Sequence, residues 1–129
     1  MDKLDFINYW VESSKHDLAV ASSLFNSRHF DYCLYLCHLS LEKLLKAIWI
    51  KNNIENNPPM THNLVYLAQQ AGLDMDDEQL KFLQFVNSFN LGIRYPDYKF
   101  KIYQMCDEGF TKKNFSKVQE IHQWLMKKS

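Results

Sequence analysis

Ser40-Leu-Glu-Lys-Leu-Leu-Lys46 sets charged side chains directly beside apolar ones, where a plain helical core would prefer Leu and Ala. Read outward from this segment, Leu34, Cys37, His38, Leu41, Leu45 and Ile48 recur on one face at helical spacing. Leu36, Leu39 and Ile50 fall nearly opposite. The pattern predicts one helix from about 29 to 53, and a helix apolar on two sides is central to its bundle.

The flanking sequence continues the helical theme. Phe6, Trp10, Ala21 and Leu24 form a stripe that predicts a first helix from about 3 to 26, closed by the turn Asn26-Ser27-Arg28. Asp17 shares that stripe, so its carboxylate must lie at an edge or meet a donor, because an unpaired buried charge is very costly. Asparagines and Pro58-Pro59 make the stretch after the second helix a loop. Thr61 then reads as the N-cap of a short helix from about 62 to 71, stopped by Gly72. Asp74 or Asp76 caps a fourth helix over roughly 77 to 92, with Leu80, Leu83 and Val86 inward. Arg94-Tyr-Pro-Asp97 interrupts it, since Pro96 biases Tyr95 away from helical angles. A final helix over about 111 to 127 takes Thr111 or Ser116 as its cap and turns Phe115, Val118, Ile121, Trp124 and Leu125 inward. The fold class expected is all-α: a single-domain up-and-down bundle of four to five helices over residues 1–129.

Composition agrees and narrows the function. A chain of 129 residues can bury one core without staples. Only 3 glycines and 3 prolines suit long helices better than a turn-rich sheet. Fifteen basic and fifteen acidic residues give zero formal charge, which argues against a broad footprint for duplex nucleic acid. The many rings (9 Phe, 7 Tyr, 3 Trp) hint at a buried self-association surface. Cys33, Cys37 and Cys106, an odd number with no secretory leader, point to a cytoplasmic protein. No apolar run is long enough for a membrane span.

Several polar residues are candidates for chemistry. His38, Glu42 and Lys46 follow at i, i+4 and i+8 and form a ladder, read either as a partly solvated flank with one ion pair or as a face turned to a ligand. His62 sits at a predicted helix start, where an imidazole bonds neighbouring backbone. Arg94 at a helix end has three uses: bonding the last carbonyls, pairing with Asp17, or presenting a planar fork to phosphate. The five histidines lack metal-ligand spacing, so no metal site is expected. No phosphate-binding glycine loop or serine elbow is present, no cofactor is expected, and the lysines of the last helix read as solvated surface.

Four segments in order carry a family resemblance. Trp10 with Lys15-His-Asp-Leu18 and Ala21, then Cys37-His-Leu-Ser-Leu-Glu-Lys-Leu-Leu-Lys-Ala47, then Thr61-His62-Asn-Leu64, then Arg94-Tyr-Pro-Asp97 together resemble a HEPN domain. The resemblance implies a homodimeric helical bundle associated with nucleotides or RNA, in which many members accompany small nucleotidyltransferases in toxin–antitoxin or defence systems. Catalytic members are metal-independent ribonucleases with Arg-x4-6-His. Here the eligible positions after Arg94 hold Lys99, Phe100 and Lys101, and those after Arg28 hold Cys33, Leu34 and Tyr35. The expectation is therefore a non-catalytic module that binds a nucleotide-like ligand or a partner nucleotidyltransferase as a homodimer. Lys43, Lys46, His62, Arg94 and Tyr95 are its ligand-binding candidates, and Asp17, Glu42 and Thr61 its structural polar candidates. The alternative is an RNA-cleaving toxin with a rearranged site using His62 or His38. A further reading is a purely structural dimer whose polar motifs tie helices together.

Overall fold

The computed structural model describes residues 1–94 and 104–129, with side chains for 1–90 and 104–129. Its first helix, α1 (Lys3–Asn26), starts at a reciprocal cap in which Asp2 accepts from the Asp5 amide and the Asp5 carboxylate accepts from the Asp2 amide. It stops where Arg28 adopts a left-handed backbone (φ 65°), which turns the chain back within three residues. α2 (Phe30–Asn52) then runs back along α1. The Lys3 ammonium fastens the far end of this hairpin, donating to the carbonyls of Ile50 at 2.7 Å and Asn53 at 2.8 Å. A cation there meets both the unpaired carbonyls and the negative end of the α2 dipole.

α3 (Leu64–Gln70), α4 (Asp77–Arg94) and α5 (Glu108–Met126) complete the bundle. Among the described residues, all four other helices pack on α2, as its two apolar faces predict. Leu34, Leu41, Leu44, Leu45 and Ile48 of α2 are fully buried against Leu67, Leu83, Val86, Val118 and Leu125 from α3, α4 and α5. Each such side chain contributes about 1.5–3 kcal/mol by leaving water, and truncating one to alanine costs about 2–5 kcal/mol. The described residues thus form the all-α bundle expected, with no strand among them. No helix among them is long and apolar enough to cross a membrane.

Two caps differ from expectation. α3 begins two residues later than the spacing suggested, and Asn63 caps it by accepting from the amides of Val65 and Tyr66. Thr61 instead accepts from the Asn63 amide at 3.1 Å, a local turn that leads into the cap. α5 begins three residues early because Asp107 accepts from the Phe110 amide at 2.7 Å, leaving Thr111 buried inside the helix. Asp76 caps α4 as read, in a reciprocal pair with Gln79. Tyr95, Pro96 and Asp97 lie outside the described residues, and Arg94 is described by its backbone alone.

Candidate functional site

The ladder on α2 is neither a solvated flank nor an open ligand face. His38, Glu42 and Lys46 are all buried, with 0%, 5% and 8% exposure. Helical spacing stacks them, and α1 together with the loop before α3 covers them. Burial of this kind is tolerable only with partners. The Glu42 carboxylate has two: Oε2 accepts from the Lys46 ammonium at 3.1 Å, and Oε1 accepts from His62 Nδ1 at 2.7 Å. The Lys46 ammonium also lies 5.3 Å from the centre of the Trp10 ring on α1, a cation–π contact that replaces part of its lost hydration. His38 Nε2 donates to the His62 carbonyl at 2.9 Å, fixing the backbone from which that imidazole projects.

His62 is therefore held at both ends of its residue. Its spacing predicts a ring that bonds neighbouring backbone; from the loop before α3 it bonds the Glu42 carboxylate of α2 instead. With Nδ1–H donating to Glu42, the ring keeps Nε2 without a hydrogen bond among the described residues, and the side chain is 46% exposed. A carboxylate behind Nδ1 orients an imidazole and fixes its tautomer, which suits either proton exchange or hydrogen bonding to a ligand. The neighbouring cap is tied down as well. Asn87 of α4 accepts from the Leu64 amide at 2.9 Å and donates to Asn63 at 3.1 Å, so the start of α3 is locked to α4.

Asp17, the odd carboxylate on the α1 stripe, meets Lys43 at 2.8 Å. Lys43 also donates to Ser13 at 2.7 Å. The carboxylate thus meets a donor, as its place on an apolar stripe requires. Lys43 and Lys46 thus have their charge answered within the fold, and the structure brings Glu42, Lys46 and His62 into one network while Asp17 and Lys43 form a second. Arg94 and Tyr95, the remaining candidates, have no described side chains.

A third polar cluster escaped sequence reading. Ser14 of α1, Ser40 of α2 and His122 of α5 are buried together. Ser14 Oγ donates to the Ser40 carbonyl at 2.6 Å, and Ser40 Oγ donates to the Ser14 carbonyl at 2.8 Å. Ser14 has then used its proton, so His122 Nε2–H donates to Ser14 Oγ across 3.0 Å. Burial, with the Lys15 charge adding to it, pushes the His122 imidazole below its ordinary range. The signal in the sequence was small polar residues on the packed faces of α1 and α2, where an aliphatic side chain would otherwise be expected.

Comparison with known proteins bears on the fold as a whole. No curated protein and no solved structure gives a match. The family model for the HEPN domain matches residues 7–129, which includes every residue of the Glu42–Lys46–His62 network. This match spans nearly all of a helical bundle whose central helix carries the Glu-Lys segment, and the chain therefore belongs to the HEPN domain family.

Proposed function

We propose that this chain is a cytoplasmic, non-catalytic HEPN module, one domain over its 129 residues, that binds a nucleotide-like ligand or a partner nucleotidyltransferase as a homodimer. The family supports a nucleotide-binding or ribonuclease-like helical module in general. The observation that carries the finer reading is the Glu42–His62 pair: a half-exposed imidazole oriented by a buried carboxylate and left with one ring nitrogen for a ligand. In this reading Lys43 and Lys46 act from behind. Lys46 holds the Glu42 carboxylate in place, and Lys43 secures the α1–α2 contact through Asp17. His62 makes the direct contact, with Arg94 and Tyr95 as further ligand-binding residues. The absence of histidine five to seven residues after either Arg28 or Arg94 argues against cleavage by the family route.

The same pair favours a second reading, a metal-independent RNA-cleaving toxin with a rearranged site, because a carboxylate-backed imidazole is also how a general base is held. One experiment separates them. The purified protein is titrated with nucleoside phosphates by calorimetry and incubated with labelled single-stranded RNA in a chelator. Saturable binding with intact RNA supports the module. RNA cleavage that disappears in His62→Ala supports the toxin, and the lack of both overturns nucleotide binding and cleavage alike, leaving the nucleotidyltransferase as the partner.

A further inference from the structure

Beside the Glu42–Lys46–His62 network lies a cavity of about 250 Å³, walled by Phe6, Tyr9 and Trp10 of α1 and by Asn56, Asn57 and Pro58 of the loop before α3. Its rings are arranged as a corner. Tyr9 and Trp10 meet edge to face, with centres 5.4 Å apart and planes at 76°. Tyr9 is nonetheless 59% exposed, a large ring left to water at the rim of a cavity. Across from the rings stand Asn56, Asn57 and Pro58, and the wall they complete is almost entirely apolar. We infer that this cavity is the base subsite of the ligand proposed above, taking the planar heterocycle of a nucleotide; the inference rests on that reading.

Three features select this occupant. The cavity is smaller than the roughly 300–1,000 Å³ that holds a drug-sized ligand, so it suits one ring system. Aromatic side chains stack any base through its π face, and a nearly apolar wall suits that face. The third feature is charge. The Lys46 ammonium over the Trp10 ring draws electron density toward itself, which makes that indole a better platform for an electron-rich purine.

Behind the cavity wall, a chain of contacts through buried side chains leads to His62. Trp10 touches Lys46 at 5.3 Å, Lys46 touches Glu42 at 3.1 Å, and Glu42 touches His62 at 2.7 Å. The loop that supplies Asn56 and Asn57 is the one that ends in His62. In the inferred pose the base lies against Tyr9 and Trp10 and the phosphate follows the loop toward His62. Phosphate alone would use only the second part.

The test is calorimetric titration of the full chain with adenosine diphosphate, guanosine diphosphate and inorganic pyrophosphate. The variants are Tyr9→Ala and Asn57→Ala, two exposed positions whose loss leaves the core intact. Trp10 is left alone because it shields Lys46. The expected result is that a nucleoside diphosphate binds more tightly than pyrophosphate. Tyr9→Ala then weakens the nucleotide about tenfold, as loss of one stacking partner does, and leaves pyrophosphate unchanged. Equal affinity for pyrophosphate and nucleotide, or full affinity in both variants, overturns the base subsite while nucleotide binding itself stands. Binding of none of the three ligands overturns the nucleotide reading and the subsite with it.

Discussion

Replacing Glu42 by glutamine keeps the shape of the side chain and removes its charge, which isolates what the carboxylate does. In the native fold its two oxygens answer a buried ammonium at 3.1 Å and an imidazole at 2.7 Å, and the Glu42 side chain is only 6% exposed. Glu42→Gln leaves the Lys46 charge, 11% exposed, with a neutral acceptor and the Trp10 ring as its remaining partners. Removing one member of a buried pair costs about 3–5 kcal/mol, most of it the penalty of the charge left behind. Against a total stability of about 5–15 kcal/mol, that is a large fraction. Urea unfolding followed by circular dichroism at 222 nm reads it directly. The expected pattern is a large loss in Glu42→Gln, a comparable loss in Lys46→Met, and a double variant that is less damaged than the sum, because it buries no orphaned charge. Losses below about 1 kcal/mol that simply add would place the pair in effectively aqueous surroundings and refute the reasoning.

Three further outcomes follow from particular contacts. Asn63→Ala removes the α3 cap and the partner of Asn87, so it costs at least the ~1 kcal/mol typical of a cap, whereas Thr61→Ala costs a few tenths; chemical denaturation of the two variants ranks them. His122 sits below its ordinary value of 6.5 in the fold, so the unfolded chain binds its proton first. Its contribution is complete above pH 6.5 and is lost as pH falls toward and through its folded value, and His122→Gln flattens the acid side of the stability–pH curve relative to wild type. Burial, with Asp31 nearby, pushes the Cys106 thiol up to about 12, so Cys106 reacts with iodoacetamide at pH 8 far more slowly than a free thiol, as mass spectrometry over a time course will show.

Much of this molecule can be read in its sequence, for reasons that are local. The extents of α1 and α2 follow from their apolar spacing and from the turn at Arg28. The Glu42–Lys46 contact follows from helical periodicity, and the oddity of Asp17 is visible from its place on an apolar stripe. Burial of the ladder is not local: it depends on α1 and on the loop before α3 closing over α2, and no spacing on α2 encodes that. The partner of Asp17 likewise depends on how two helices pack side by side, and no spacing on α1 names Lys43. The caps at Asn63 and Asp107 were misplaced because Thr61-His62-Asn63 offers two acceptable cap residues, and because Thr111 resembles a cap until packing buries it. The Ser14–Ser40–His122 cluster joins three helices and has no linear pattern at all.

The central claim is that His62, set by Glu42, is the group that meets the ligand. Its most direct test is calorimetric titration of wild type and His62→Ala with a nucleoside diphosphate, alongside their urea midpoints. The account predicts that His62→Ala binds at least about tenfold more weakly, the loss of one hydrogen bond to a charged group, while remaining folded. Undiminished affinity in a folded His62→Ala protein would contradict it.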